Sequence, residues 1–333
     1  MAEAERPTLV TGGTGFIGTY VVRELLDRGR RVVAFDTREL TPEGRFLLGD
    51  RAEEVVVETG SIDDWSRVLH VVADHRPLDV VHLATITHPV FLFTNPIPGL
   101  RVNLLGTIHV LEAARLFDIR RIVYFSSIGV LPACQYEPID AAHPIFLPRE
   151  AVPTGVYGAS KIAGEAFCFA YNQAFGTDFR TIRPSAVYGF GMQWPIFVKP
   201  MVEGAVRGEP VVFESGGPFP RDYTHAADVA CLAACCLEGP DDADRIFYGA
   251  TGQPLVTAAE VARIVMELVP GSRIEIPDVL SEADQMELPY RGRLATENAR
   301  TQLGWEPRFV DIREGLADYV ERYRAFLAAA EHS

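Results

Sequence analysis

A tyrosine and a lysine one helical turn apart are the first residues whose types and spacing could do chemistry. They are Tyr157 and Lys161, in the segment YGASK. Side chains at positions i and i+4 share one face of a helix, so both groups can address one ligand. An adjacent ammonium stabilises a phenolate, so we expect Lys161 to lower the pKa of Tyr157 from about 10 towards neutrality. Tyr157 would then act as a general base on an alcohol.

The composition of the basic residues also draws attention to Lys161. Lys and Arg together number 31, yet the only lysines are Lys161 and Lys199. Since this chain uses arginine almost everywhere that a positive charge is needed, the presence of a lysine at position 161 indicates a chemical role for that side chain.

Two serines, Ser126 and Ser127, end a predicted strand in the segment VYFSSIGV. The carboxyl ends of parallel strands form the edge of a sheet where ligands bind. We predict that a hydroxyl there donates to the substrate oxygen and shares its proton with Tyr157. Serines at strand ends are also common turn formers, and the position alone does not separate the two roles.

Glycines at three-residue spacing follow the first predicted strand, in TLVTGGTGFIG at residues 8–18. Gly12, Gly15 and Gly18 would let the backbone approach a pyrophosphate, and the helix that follows would supply free N–H donors. Asp36 ends the second predicted strand, where a carboxylate can accept hydrogen bonds from a ribose diol. An acid there favours NAD over NADP, and Arg38, two residues on, weakens that preference.

The order of elements predicts how these residues are positioned. β-branched apolar runs alternate with amphipathic helical patterns over the first two thirds of the chain. This order predicts an α/β fold, a doubly wound parallel sheet of the Rossmann type with a smaller C-terminal substrate lobe. We predict a dinucleotide-binding domain formed by residues 1–190 together with 221–250, which return to the main sheet. Residues 191–220 and 251–333 are predicted to form mainly the substrate-binding lobe and the closing helix. The predicted helices include 17–29, 63–75, 101–117 and 157–175.

Composition narrows the function classes. The chain has 333 residues, 48% of them hydrophobic, and a net charge of −14, which argues against a nucleic-acid partner. No apolar run approaches the roughly 20 residues needed to span a bilayer. The opening MAEAERP is not typical of a secretory signal, so a cytoplasmic protein is expected. The five cysteines have no CxxC spacing, and we expect no metal site.

Taken together, these motifs resemble the extended short-chain dehydrogenase/reductases, and more narrowly the NAD-dependent epimerase/dehydratase family. The resemblance covers nearly the whole chain. It rests on the glycine motif with Asp36, then on HLAT, Asn103 in RVNLLGTIHVLEAAR, YFSS, YGASK, RPSAVYG, RDYTHAADVA and LGWEP, in that order.

The resemblance implies a role for each matching residue. Tyr157 is the expected base, Lys161 its activator and a ligand of the nicotinamide ribose, and Ser127 the hydroxyl that orients the substrate. Asn103 would support the active site, and Arg221 matches an arginine that contacts substrate phosphate. The predicted cofactor-binding residues are Gly12, Gly15, Phe16, Ile17, Gly18, Asp36, Ser61, Ile62, Leu83, Ala84, Thr85, Asn103, Tyr157, Lys161 and Pro184. The predicted substrate-binding residues are Thr87, Ser126, Ser127 and Arg221.

The residues after Ser127 bear on the reaction. Family dehydratases and decarboxylases carry a carboxylate just after the catalytic hydroxyl, whereas this chain has Ile128 and Gly129. The favoured reaction is therefore an NAD-dependent epimerisation by transient oxidation of a secondary alcohol, at C4 of a nucleoside-diphosphate sugar. An NAD-dependent dehydrogenase of a small sugar, sugar acid or other secondary alcohol is the alternative. A non-catalytic NAD-binding regulator is a third reading, disfavoured by the complete Ser/Tyr/Lys set.

Some positions depart from the family pattern. Sugar-nucleotide epimerases often carry a late RxGD segment that binds phosphate, and this chain has ELPYRGRLATENARTQLGW there. Arg291 or Arg293 could substitute in a different register. His88 could face the substrate or be a simple loop histidine. The resemblance also implies a homodimer formed through helices 101–117 and 157–175, with no membrane partner.

Overall fold

The computed structural model describes residues 6–145, 155–194 and 196–331. Residues 1–5, which carry most of the expected non-secretory N-terminus, lie outside the described residues, as do 332–333 at the end of the predicted closing helix. The described part of the chain contains no helix long and apolar enough to cross a membrane.

A seven-stranded parallel sheet forms the centre of the molecule, which confirms the predicted doubly wound fold. The strand order is β11-β6-β5-β4-β1-β2-β3. Its strands are β1 (Thr8–Thr11), β2 (Val32–Asp36), β3 (Val56–Thr59), β4 (Asp79–His82), β5 (Arg121–Phe125), β6 (Phe179–Pro184) and β11 (Ile246–Gly249). The order reverses between β1 and β4, and ligands bind beside the carboxyl ends of the strands at such a point.

Helices cover both faces of this sheet. They are α1 (Phe16–Asp27), α2 (Pro42–Leu48), α3 (Trp65–His75), α4 (Pro89–Thr94), α5 (Pro96–Leu100), α6 (Gly106–Leu116), α7 (Gly155–Phe175), α8 (Val198–Arg207), α9 (Ala226–Glu238), α10 (Ala258–Leu268), α11 (Glu282–Glu287), α12 (Glu297–Leu303) and α13 (Ile312–Ala330). Short 3-10 turns lie at Gly49–Glu54, Ile128–Val130 and Leu288–Tyr290.

The predicted helix 101–117 differs from the structure in its first turn. Residues Arg101–Leu105 form a π-helical turn, and α6 begins only at Gly106. The Asn103 amide within this turn binds both backbone groups of Ile86, at 2.7 and 3.0 Å. Turns of this type occur often at functional sites, and periodicity alone does not distinguish them from α-helix.

The remaining strands in the described part of the chain form three short pairs outside the main sheet. These are β7 (Ala186–Tyr188) with β10 (Tyr223–His225), β9 (Pro220–Arg221) with β12 (Val256–Thr257), and β8 (Val211–Val212) with β13 (Ile274–Glu275). One apolar cluster runs from Leu25 of α1 through Val229 of α9 to Leu316 of α13. The domain boundaries stay a prediction, since the apolar cluster is continuous across them.

A half-buried carboxylate on α13 joins this helix to the start of α9. Asp318 lies 3.4 Å from Nε2 of the buried His225 and accepts a hydrogen bond from Arg322 Nε at 2.7 Å. Burial raises the pKa of Asp318, but the interactions with His225 and Arg322 outweigh it and lower the pKa to about 2. The stabilisation is therefore present above the unfolded pKa of about 4 and is lost as the pH falls from about 4 to about 2.

We expect Asp318→Asn to lower the free energy of unfolding at pH 7 by about 2 kcal/mol, because the pKa shift of nearly two units disappears. Urea denaturation at pH 7 and pH 3 measures this, and the variant should lose less stability than the wild type between these pH values. Asp74→Asn, an exposed position on α3, is the matched control. Equal unfolding free energies for wild type and Asp318→Asn at pH 7 would contradict the assignment.

Candidate active site

The glycine segment after β1 forms a backbone cradle in which Gly12 and Gly18 leave no room for a side chain. Gly12 has a φ of +72°, and a Cβ on it would lie 2.8 Å from the Ala84 nitrogen. A Cβ on Gly18 would lie 2.0 Å from the Gly12 carbonyl oxygen. Helix α1 starts at Phe16, and its N-cap Gly15 offers no side-chain cap for the first N–H groups. These free donors and the positive end of the helix dipole fit a pyrophosphate.

Asp36 ends β2 beside this cradle. Its carboxylate accepts the backbone N–H of Thr14 at 3.2 Å and of Thr37 at 2.7 Å. The carboxylate thus fastens the glycine segment to the end of the second strand. Asp36 still lines the cavity next to the cradle, where the proposed ribose diol would lie, and Arg38 lines it as well.

A cavity of about 680 Å³ runs along the carboxyl ends of the strands. It brings together nearly all of the residues predicted to bind cofactor, and Thr87 and Ser126 from the predicted substrate site. The predicted residues in its wall are Gly12, Gly15, Phe16, Ile17, Gly18, Asp36, Ser61, Ile62, Leu83, Ala84, Thr85, Thr87, Ser126, Tyr157, Lys161 and Pro184. Asn103, Ser127 and Arg221 lie outside this wall.

Asn103 is buried behind the cavity, with 1% of its surface exposed. Besides Ile86, its amide donates to the Ser160 hydroxyl at 3.2 Å. A direct cofactor contact, as predicted, does not fit this placement because the amide is already engaged by protein groups. Asn103 instead joins the loop after β4 to α7, which carries the tyrosine and lysine.

Tyr157 and Lys161 both face the cavity from α7, one turn apart as predicted. The Lys161 ammonium donates to the Phe125 carbonyl at 2.7 Å and lies 5.8 Å from the centre of the Tyr157 ring. Burial raises the pKa of Tyr157, and a hydrogen bond with Ser127 lowers it in part. Burial lowers the pKa of Lys161 to about 7, against the attraction of Glu165.

The prediction that Lys161 lowers the pKa of Tyr157 is therefore wrong for this arrangement. The low dielectric around both groups disfavours both charged forms, and the ammonium is turned towards a backbone carbonyl. The phenol must therefore lose its own proton before it can accept one from an alcohol.

The two serines after β5 differ in their surroundings. The Ser126 hydroxyl is buried, lines the cavity, and has no hydrogen-bond partner among the described residues. The Ser127 hydroxyl accepts the Gly129 backbone N–H at 3.0 Å and hydrogen-bonds with Tyr157. Ser127 thus contacts the proposed base, whereas Ser126 presents an unpaired hydroxyl to a ligand.

Two buried residues that were not predicted from the sequence support the Tyr157–Lys161 pair. His82, at the end of β4, hydrogen-bonds with Thr11 at 2.6 Å and Thr107 at 3.0 Å. Burial and the charge of Lys161 lower the pKa of His82 to about 3, so the imidazole is neutral. Glu165 lies one turn beyond Lys161, a spacing visible in the sequence, and forms a buried ion pair with Arg183 at 2.7 Å.

His88 lies at the opposite wall of the cavity. Its Nδ1 accepts the Phe91 N–H at 3.1 Å, which caps α4. Its ring packs edge-on against Trp194, with 4.5 Å between the ring centres. Gln193 and Trp194 also line the cavity, and neither was predicted, because they reach it from a loop distant in sequence.

Arg221 lies in a smaller adjoining cavity that also includes Arg291 and Ile128, the residue after Ser127. The two guanidinium groups lie over the same buried ring, Phe219, at 4.7 and 5.2 Å from its centre. Burial and the charge of Arg221 lower the pKa of Arg291. The sequence left two arginines, Arg291 and Arg293, as possible replacements for the late phosphate-binding segment. The structure places Arg291 beside Arg221.

Comparison with known proteins agrees with this geometry. The profile of the NAD dependent epimerase/dehydratase family matches residues 8–248. A putative UDP-glucose 4-epimerase of Methanocaldococcus jannaschii is 29% identical over 92% of this chain and 95% of its own length. UDP-glucuronic acid decarboxylase 5 of Arabidopsis thaliana is 27% identical over 95% of this chain and 89% of its own.

A solved structure has the same architecture. The UDP-glucose 4-epimerase of Thermus thermophilus, in complex with NAD, superposes with a TM-score of 0.77. It is 26% identical, and the match covers 96% of this chain and 99% of that one.

Proposed function

The chain belongs to the NAD-dependent epimerase/dehydratase family, and from that membership we propose that it is an NAD⁺-dependent epimerase of nucleoside-diphosphate sugars, acting at C4. The family resemblance predicted from the sequence is confirmed. NAD is the cofactor, since the glycine cradle and Asp36 fit a dinucleotide and a related structure contains NAD. The observation that carries the proposal is that Tyr157 and Lys161 line the cavity beside this cradle, with Ser127 hydrogen-bonded to Tyr157 from behind the wall.

The residues of the chain supply positioning and a proton path. In its phenolate form, Tyr157 takes the proton of the sugar hydroxyl as the alcohol becomes a ketone, and the resulting phenol returns that proton when the alcohol reforms. Ser127 holds the phenol by its hydrogen bond, and Ser126 offers its free hydroxyl to the sugar. Lys161, held by the Phe125 carbonyl, lies 5.8 Å from the centre of the Tyr157 ring and lines the same cavity. Bound NAD⁺ would accept the hydride from C4 and return it to the other face.

The described residues that line the cavity favour epimerisation over dehydration or decarboxylation. Among the described residues that line the cavity, Asp36 is the only carboxylate, and it lies at the cradle. Ser127 is followed by Ile128 and Gly129, neither of which can transfer a proton. The chain therefore has the groups for one reversible proton transfer and lacks, in its described part, those for an additional one.

Arg221 and Arg291 support a substrate that carries phosphate. Both line the small cavity that includes Ile128, the residue after Ser127. Their Nε atoms are buried and have no hydrogen-bond partner among the described residues. Two guanidinium groups with unused donors form a clamp for a diphosphate, because each can bind phosphate oxygens with two N–H groups. We call this pair the arginine clamp.

The experiment that tests the proposal uses the purified protein with NAD⁺ and a panel of UDP-sugars, free sugars and sugar acids. Absorbance of reduced nicotinamide and product stereochemistry by NMR are followed together. We expect UDP-glucose and UDP-galactose to interconvert without net reduction of NAD⁺. Accumulating reduced cofactor with an oxidised product would instead identify the dehydrogenase alternative. Turnover of none of these compounds would contradict both readings.

A homodimer and a cytoplasmic location are also proposed. Apolar side chains are exposed on the π-helical turn, α6 and α7, which cover the helices 101–117 and 157–175 expected to pair in the dimer, and on the adjacent α5. They are Ile97, Leu100, Leu105, Leu116, Phe167, Phe169 and Phe175. An exposed apolar surface of this kind is typical of a protein interface. The cytoplasmic location rests on the sequence composition.

A further inference from the structure

One glutamate, Glu287, pairs with both guanidinium groups of the arginine clamp. Glu287 ends the short helix α11, and its Oε2 bonds Arg291 Nη2 and lies 3.9 Å from Arg221 Nη2. Both salt bridges of the clamp within the described residues go to this one carboxylate. A carboxylate and a phosphate present similar oxygen pairs to guanidinium groups, so the two compete for the same donors.

Asp222, the acid next to Arg221 in the sequence, does not compete for the clamp. Asp222 follows Arg221 directly, but its carboxylate accepts the hydroxyls of Ser185 at 2.9 Å, Thr224 at 2.7 Å and Thr251 at 2.8 Å. Asp222 is therefore committed to the strands behind the clamp. Glu287 balances one of the two positive charges, and the remaining excess charge favours an anionic ligand.

The cavity lined by the two arginines is too small for a phosphate in this structure, and Tyr290, three residues after Glu287, forms part of its wall. The cavity measures about 20 Å³, which is room for about one water. Displacing the glutamate requires little rearrangement, since 44% of its side chain is exposed and α11 contains no buried residue. The turn that follows, Leu288–Tyr290, also contains none. Segments with so few buried contacts open at low free-energy cost.

We propose that Glu287 is an internal competitor of the substrate's phosphate groups at Arg221 and Arg291, and that it sets the affinity of the enzyme for nucleotide sugars. This inference rests on the proposed function, because the competition matters only if the clamp binds the diphosphate. Substrate binding then exchanges one intramolecular ion pair for the phosphate contacts. The carboxylate also keeps the clamp partly neutral when no substrate is bound.

Calorimetric titration of UDP into the NAD⁺-loaded protein tests the inference, since UDP carries the two phosphates and is not turned over. We expect E287Q to bind UDP about tenfold more tightly than the wild type at low salt, with a smaller gain at high salt. E282Q is the matched control, because Glu282 lies exposed on the same helix, and it should stay within about twofold of the wild type.

The direction of the change separates competition from a structural role. If Glu287 merely held the arginines in place, its removal would weaken binding. Equal or weaker UDP binding by E287Q would overturn the inference and leave the proposed function intact. If the wild type bound no UDP at all, the proposed function would fail at the clamp, and the inference would fail with it.

Discussion

Tyr157→Phe should lower the rate of epimerisation by about 10³-fold or more, because the variant keeps the ring but loses the phenol oxygen that takes the sugar proton. NAD⁺ affinity should stay within about twofold, since the cradle at Gly12 and Gly18 is built from backbone and lies on other elements. Single-turnover kinetics with UDP-galactose and a separate titration with NAD⁺ measure the two effects.

Tyr171→Phe provides the control for this change. Tyr171 lies on the same helix α7, and its hydroxyl bonds Glu112 at 3.3 Å, outside the cavity. Tyr171→Phe should retain the wild-type rate. Wild-type turnover by the Tyr157→Phe variant would show that Tyr157 is not the base and would contradict the proposed mechanism.

Gly18→Ala has the second large expected effect, on cofactor binding. The added Cβ would lie 2.0 Å from the Gly12 carbonyl oxygen and 2.9 Å from Gly13 Cα. These are backbone atoms, so the cradle itself must shift and its N–H groups no longer converge on the pyrophosphate. We expect the NAD⁺ dissociation constant to rise on the order of 100-fold, because several hydrogen bonds to phosphate are lost together. Protein fluorescence or calorimetry can follow the binding.

Gly44→Ala is a substitution of the same kind on the neighbouring helix α2. A Cβ there would meet only side-chain atoms at 3.4 Å or more, an ordinary contact distance. This variant should bind NAD⁺ like the wild type and be at least as stable, since alanine favours a helix over glycine. Wild-type NAD⁺ affinity in Gly18→Ala would contradict the cradle.

The parts of the site that sequence could predict are those set by local spacing. Gly12 and Gly18 lie within one strand–turn–helix unit, and Tyr157 and Lys161 lie one turn apart on one helix, so their proximity follows from helix geometry. The alternation of strands and helices likewise predicts the parallel sheet, because each crossover returns the chain to the same edge.

The parts that sequence could not predict depend on burial and on contacts between distant segments. The pKa of Tyr157 shifts upward because the surrounding protein excludes water, which spacing on a helix does not reveal. Arg221 and Arg291 meet over Phe219, and Glu287 pairs with both, although 66 residues separate Arg221 from Glu287. Similarly, Trp194 reaches His88 from a loop that no local pattern connects to it.

The central claim is that one carbon of the sugar is oxidised and reduced again within a single closed site. The most direct test converts UDP-galactose carrying deuterium at C4, using the NAD⁺-loaded enzyme in ordinary water, with the product examined by NMR. We predict UDP-glucose that retains the deuterium at C4, because the hydride returns to the carbon it left and only the hydroxyl proton exchanges through Tyr157. Loss of the deuterium to solvent, or conversion without inversion at C4, would contradict the account.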